Sequence, residues 1–308
     1  MKVFMTQSQK RFEESLGLLF NKAPNPQNSC LFLKSSSDEG VIRNGGRNGA
    51  RFAPQSFLST FKKFTLTEKI KSYSFKEMEV SNQEEERVDF HKSQELESKR
   101  ILSILDSYDF SRIYHIGGGH DHIYPLLKAL GHATKKLIII NIDAHADTRT
   151  DTEFHSGTPF RQMANEFSGE FHLFQIGLHP FSNSFSTLSP LGKNQVKILW
   201  RSDLTDSSLK SFFEEIQSLV EADCKVVFSI DADALSAAEI PGVSAVNPAG
   251  LTREELLKIW KLYKNLPLAH GPITGIYELN PLYDHLSSLS MKTMGSFVFD
   301  TLQEQFFK

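Results

Sequence analysis

Short apolar runs alternate with longer amphipathic stretches along most of the 308-residue chain. The runs Cys30–Leu33, Arg112–Ile116, Leu137–Ile142, His172–Ile176, Val196–Trp200, Val226–Ile230 and Ile273–Leu279 have the length and residue types of strands. Leu137-Ile-Ile-Ile140 is apolar at every position, so both of its faces need cover, as in a central strand of a parallel sheet. Between these runs, Ser93–Ser107, Tyr124–Leu130, Ser208–Val220 and Thr252–Asn265 read as helices. The last opens with Thr252-Arg-Glu-Glu255, a capping box in which the two side chains satisfy backbone N–H groups that the first turn leaves orphaned. Strand-then-helix alternation predicts an α/β fold with a central parallel sheet and helices on both faces. No linker, internal repeat or low-complexity tract interrupts the rhythm, so residues 1–308 are expected to form a single domain.

Two stretches depart from the pattern. Residues 35–54 (SSSDEGVIRNGGRNGARFAP) are rich in Gly, Arg and Asn and read as a long loop, of the kind that is functional or disordered in a compact domain. Glu77–Arg100 is densely charged and reads as a solvated helix or a surface excursion.

Composition narrows the function only by exclusion. With 40% hydrophobic and 23% charged residues the chain is an ordinary globular protein. A formal net charge of −3 argues against a nucleic-acid partner, which calls for a strongly basic face. Small anionic substrates stay open, because a few local arginines suffice for them. Cys30 and Cys224 sit among apolar residues and read as reduced core thiols, which suits a reducing compartment. The opening MKVFMTQSQKRFEESL lacks an apolar run long enough for a signal peptide. No segment approaches the roughly 20 apolar residues of a membrane span. A cytoplasmic location with no membrane partner is the expectation.

The chemistry gathers where strands end. Open parallel sheets bind ligands just beyond the carboxyl ends of their strands. The strand RIYHI runs into Gly117-Gly-Gly-His120, LIIINI into Asp143-Ala-His145-Ala-Asp147, and VVFSI into Asp231-Ala-Asp233. These three ends would deliver two imidazoles and four carboxylates to one crevice. Four carboxylates in a partly dehydrated cleft repel one another and cannot all stay ionised without a partner. Divalent cations resolve the conflict, and mixed oxygen and nitrogen donors suit Mn²⁺, and also Fe²⁺, Co²⁺, Ni²⁺ or Zn²⁺. The six residues fit two metal ions bridged by shared carboxylates, a pair that acidifies a water held between them.

The set GGGH, NIDAHAD, SIDAD and YELNP resembles the ureohydrolase superfamily, which includes arginase, agmatinase and formimidoylglutamase. The resemblance spans about Asp38 to Tyr283. It implies a three-layer αβα sandwich on a parallel sheet and a centre of two divalent metal ions, with Mn²⁺ expected. Carried over by motif, His120 and Asp147 would bind one ion and His145 and Asp233 the other, with Asp143 and Asp231 bridging. Glu278, in ELNP, would be the carboxylate that pairs with a cationic amidinium, an arrangement that charge-assisted hydrogen bonds favour.

Four further segments are similar to the formimidoylglutamase branch: SDEGVIRNGGRNGA (37–50), Arg149 after DAHADT, HSGTPFRQ (155–162) and IPGVSAVNPAG (240–250). That branch hydrolyses N-formimidoyl-L-glutamate to L-glutamate and formamide in histidine degradation. The resemblance therefore implies a small-molecule amidine substrate bearing two carboxylates. Arg149, Arg43 and Arg47, with Asn44, are the candidates to receive it, and Arg161 is a weaker one. Another ureohydrolase specificity (arginase, agmatinase or a guanidino-acid hydrolase) and a non-catalytic binding protein of the same fold are the alternatives. One departure stands out: arginases and agmatinases place a histidine directly before a glycine in the loop after DxHxD. Here the order is His155-Ser156-Gly157, which leaves His155 one residue early as acid or proton shuttle to the leaving nitrogen. Of the remaining histidines, read as packing or surface residues, His122 is the one placed to support the ligands from behind. Assembly into a homo-oligomer is left open.

Overall fold

The computed structural model describes residues 14–23, 25–188, 191 and 196–304; most of the N-terminal stretch weighed above as a signal peptide lies outside them. Eight strands form one sheet, all paired in parallel: β1 Ser29–Ser36, β2 Ser74–Asn82, β3 Arg112–Gly117, β4 Lys136–Ile142, β5 Glu170–Ile176, β6 Val196–Leu199, β7 Lys225–Asp231 and β8 Ile273–Tyr277. Their order across the sheet is β2-β1-β3-β8-β7-β4-β5-β6. Every strand expected from the sequence is present within a few residues of its expected bounds.

Alternation along β4 explains the layers. Every residue of this strand is buried. Ile138 and Ile140 join a core with Phe32, Phe61, Phe228 and Trp260 on one face, while Leu137 and Ile139 join Leu31, Phe160 and Phe171 on the other. Helices Ala53–Phe61, Asp206–Leu219, Arg253–Lys264 and Leu289–Gln303 cover the first face. Helices Phe90–Ser107, Ile123–Gly131 and Pro159–Glu166 cover the second. Truncating a β4 isoleucine to alanine removes contacts on a face that cannot collapse, at a cost of about 2–5 kcal/mol. The expected capping box at Thr252 starts helix Arg253–Lys264, while the helix expected from Ser208 begins two residues earlier, at Asp206, capped by Thr205.

Both departing stretches turn out to be ordered. Within residues 35–54, β1 runs on to Ser36, a short helix spans Glu39–Arg43, and helix Ala53–Phe61 begins. The organiser is Asp38, fully buried, whose carboxylate accepts the Gly49 N–H at 2.5 Å and the Arg51 guanidinium at 3.1 Å. Glu77–Arg100 holds the end of strand β2, helix Gln83–Val88 and half of helix Phe90–Ser107. Two of its charges, Glu77 and Glu79, sit on an edge strand, where they discourage pairing with foreign chains, and the rest lie on or beside the two helices. Glu77 pairs with Lys62 at 2.9 Å, and Glu79 with Lys34 at 3.1 Å. Charge density concealed a strand that is nonetheless buried at Phe75 on one face of the sheet and at Val80 on the other.

Candidate metal centre

The order of the sheet builds the site. After β3 the chain does not pair with its successor; β4 lies beyond β8 and β7. This change of direction opens the crevice at which parallel sheets take ligands. The strand-end pattern placed three ends there and the resemblance added Glu278; the structure brings all four together, because β8 is inserted between β3 and β7 and delivers Glu278.

His120 stands at the floor. Its Nδ1 lies 3.2 Å from Asp143 Oδ2, 2.9 Å from Asp147 Oδ2 and 3.2 Å from Asp231 Oδ2. The other ring nitrogen, Nε2, meets Ser229 Oγ at 2.8 Å, which fixes the ring so that Nδ1 faces the carboxylates. The Tyr277 ring stacks on it, with centroids 4.9 Å apart. A second group adjoins the first: His145 Nδ1 is 3.1 Å from Asp233 Oδ2 and 3.8 Å from Asp143 Oδ1. Ligand atoms of His120, Asp143, Asp147 and Asp231 lie within 4.8 Å of one another, as do those of Asp143, His145 and Asp233. Asp143 thus belongs to both groups, one oxygen toward each. Asp231 belongs to the first, and its Oδ1 accepts the Asp233 N–H at 2.9 Å.

Electrostatics shows that the protein alone leaves this cluster frustrated. Burial, then the neighbouring Asp143 charge, push the Asp147 carboxyl up to about 6. Burial and Asp143 likewise raise Asp231, while burial and Asp231 raise both Asp233 and Glu278 well above the usual carboxylate range. Asp233 draws His145 up to about 11. Burial opposes a charge on His120, but hydrogen bonds to Asp143, Asp147 and Asp231 override it and raise the ring well above its ordinary value. Asp233 Oδ1 is buried and has no hydrogen-bond partner among the described residues. Crowded carboxylates with an orphaned oxygen and two imidazoles are a donor set suited to divalent transition metals.

Two of these residues are held in the left-handed backbone region, Asp147 at φ 51° and Glu278 at φ 63°. Such conformations cost about 1–3 kcal/mol each and gather where function demands a particular aim. The Glu278 Oε1 accepts the His120 N–H at 3.0 Å, and its own N–H donates to the Gly118 carbonyl at 2.8 Å. The triglycine is more than a tight turn: a Cβ on Gly118 would sit 1.8 Å from the Ser37 carbonyl oxygen.

Above the floor lies a cleft of about 440 Å³, lined by His145, Asp147, Asp231, Asp233 and Glu278 and by a polar wall. Its size suits a small molecule. Of the residues expected to receive a substrate, Arg149, Asn44 and Arg47 line it. Arg149 donates to Asn44 Oδ1 at 2.7 Å, and Asn44 donates in turn to Ser156 Oγ at 3.1 Å. The Arg47 guanidinium is occupied by the carbonyls of Ser244 at 2.9 Å and Val243 at 2.5 Å, and it stacks on Tyr283. Arg43 does not reach the cleft; it pairs with Glu39 at 3.2 Å and lies over the Phe90 ring. Arg161 binds the carbonyls of Thr148 and Arg149 and so shapes the loop instead of facing a ligand.

His155 also departs from expectation. Its Nε2 meets Asp151 at 2.7 Å and its Nδ1 accepts the Gly157 N–H at 3.0 Å. Both nitrogens are consumed within the loop, and Ser156 and Gly157 line the cleft in its place. Sequence reasoning missed the opposite wall, formed by Ser182, Asn183, Ser184 and Thr187. Asn183 donates to the carbonyls of Ala144 and His179 and accepts the Ala146 N–H at 2.7 Å, clamping the Asp143–Asp147 turn. Nothing in the segment His179–Thr187 distinguishes this asparagine from an ordinary loop residue.

A doubly wound parallel α/β fold with a histidine–aspartate crevice at its switch point defines a class of metal-centred proteins. Within that class the chain belongs to the arginase family, whose model matches residues 37–302. Among its relatives, the formimidoylglutamase of Rhodococcus opacus is 29% identical over 283 residues, covering 88% of this chain and 84% of that protein. The formimidoylglutamase of Staphylococcus aureus is 28% identical over 252 residues, covering 80% of this chain and 77% of the other. Among solved structures, Bacillus subtilis formimidoylglutamase superposes with a TM-score of 0.80 at 20% identity, over 98% of this chain and 94% of that one. A Trypanosoma cruzi formiminoglutamase solved with Mn²⁺ gives 0.77 at 23% identity, over 93% and 98%.

Proposed function

We propose that the protein hydrolyses N-formimidoyl-L-glutamate to L-glutamate and formamide, using two divalent ions, Mn²⁺ by preference. As an arginase-family chain it is a metal-dependent hydrolase of amidine or guanidine C–N bonds. His120 and Asp147 would hold one ion, His145 and Asp233 the other, and Asp143 and Asp231 both. The ions, when bound, acidify a water and supply the nucleophile near neutral pH.

The observation that carries the specificity is the Arg149–Asn44–Ser156 chain on the wall of the cleft whose floor holds Glu278 and the metal ligands. Arg149 is about half exposed; its Nη1 donates to Asn44 and lies 3.8 Å from Asp151, which leaves the rest of its planar fork to take a carboxylate. Glu278 pairs with the amidinium and fixes its plane above the ligands. The substrate's two carboxylates then face Arg149, with Asn44 and Ser156 as neutral donors and Arg47 holding the adjoining loop. Water adds to the amidine carbon, the C–N bond to glutamate breaks, and the leaving amine takes a proton. A guanidino compound with a cationic tail would meet Arg149 charge to charge.

The test is product release from formimidoylglutamate, arginine and agmatine, measured side by side after manganese loading. Turnover of formimidoylglutamate at least 100-fold above the other two is expected. Preference for arginine or agmatine would overturn the substrate reading and leave the hydrolase class intact.

A further inference from the structure

A second group of metal-ligating side chains lies apart from the six described above. Glu86, Asp121 and His122 each present a ligand atom within 4.8 Å of the others, and all three are buried. Glu86 comes from helix Gln83–Val88, while Asp121 and His122 follow His120 in the turn after β3.

Three features mark this as more than a knot of charge. Asp121 is 1% exposed, and neither of its carboxylate oxygens has a hydrogen-bond partner among the described residues. Native proteins rarely leave a buried carboxylate unanswered. The cradle around it is closed by backbone, for a Cβ at Gly40 would lie 2.0 Å from Asp121 Oδ1 and one at Gly119 2.2 Å from it. Behind His122, Nδ1 sits 2.9 Å from Glu97 Oε2. That is the carboxylate–histidine pairing that fixes a metal-binding tautomer and turns the Nε2 lone pair toward the ion. Here Nε2 faces Glu86 Oε1 at 3.6 Å.

We propose that Glu86, Asp121 and His122 form an additional site for a divalent first-row transition metal, with Glu97 orienting the imidazole from behind. Two carboxylates and one imidazole are the donor mixture that Mn²⁺ or Zn²⁺ accepts, whereas the imidazole disfavours Mg²⁺ and Ca²⁺. The ion would be structural. Glu86 already accepts the hydroxyls of Ser37 at 2.6 Å and Ser81 at 2.8 Å, so the site ties together the chain leaving β1, the end of β2 and the turn that carries His120. The rival occupant is a proton: His122 Nε2 lies 3.2 Å from the Ser37 carbonyl and could donate to it.

The two occupants differ in what the purified protein contains. Full-length protein is loaded with Mn²⁺ or with Zn²⁺, dialysed, and measured by elemental analysis and native mass spectrometry. Wild type is expected to hold three equivalents of one of these metals, and Asp121→Asn and Glu86→Gln one equivalent fewer. Two or fewer in wild type with both metals, or equal content in wild type and variants, overturns the proposal in favour of the proton. If one variant fails to fold, the other and the wild-type stoichiometry still decide.

Discussion

Replacing Glu278 by glutamine tests the site at its most informative atom. The side chain is buried, accepts one backbone N–H, and has Asp231, Asp233 and Asp147 as charged neighbours. Glutamine keeps the length, the left-handed backbone and, through its amide oxygen, the bond to His120. It removes one negative charge. A carboxylate and an amidinium about 4 Å apart attract by about 4 kcal/mol at an effective dielectric of 20. Removing one preorganised electrostatic contact of this kind costs about 2.7–4 kcal/mol, or 10²–10³ in rate. The two routes agree, so kcat/KM should fall by about 10²–10³. Stability should move the other way. Burial and Asp231 already disfavour a charge at Glu278, so deleting it relieves repulsion, and the metal-free variant should melt no lower than wild type. The assay pairs steady-state kinetics on formimidoylglutamate with metal content and a melting curve. Turnover within about threefold of wild type, with both metals retained, would refute the pairing role. Loss of activity accompanied by loss of metal would show that the residue acts on the ligands instead.

Asp143→Ala should lose more than one of the metal equivalents that wild type holds, because its oxygens face both groups, whereas Asp147→Ala should mainly weaken one; a wild-type metal content in the Asp143 variant by elemental analysis would remove the bridge. Arg149→Ala should raise KM for formimidoylglutamate by at least tenfold with metal content unchanged, and unaltered kinetics would free Arg149 from the substrate. Gly118→Ala should destabilise by about 3 kcal/mol, read as a lower denaturant midpoint, since its Cβ would collide with the Ser37 carbonyl. Cys30 is buried and its thiol is pushed up to about 12 by that burial, so it should resist alkylation at pH 8 until the protein unfolds.

What the sequence disclosed follows a physical divide. Strands buried on both faces, such as Lys136–Ile142, advertise themselves by unbroken apolar runs, and the candidate ligands were legible because they follow such runs. Strand β2 was not, because an edge strand wears its charges outward and mimics a solvated segment. The helix within residues 35–54 was masked by glycines, whose purpose emerges only from Asp38 and its partners across the turn. Arginines were the hardest. Arg43, Arg47 and Arg149 look alike in sequence, yet one is paired at the surface, one is locked on carbonyls, and one faces the cleft. Such differences depend on contacts between loops distant in the chain, which no local pattern encodes.

The position of the centre has a consequence for how the chain reaches its native state. His120 meets Asp231 across 111 positions of sequence and Glu278 across 158. Parallel strands so far apart pair slowly, because loop closure must precede the contacts that reward it. No fragment ending before β8 can contain the whole site, so ions binding there stabilise only the fully assembled sheet. Metal therefore serves as a late lock on folding: it should slow unfolding strongly while leaving the early rate of refolding almost unchanged.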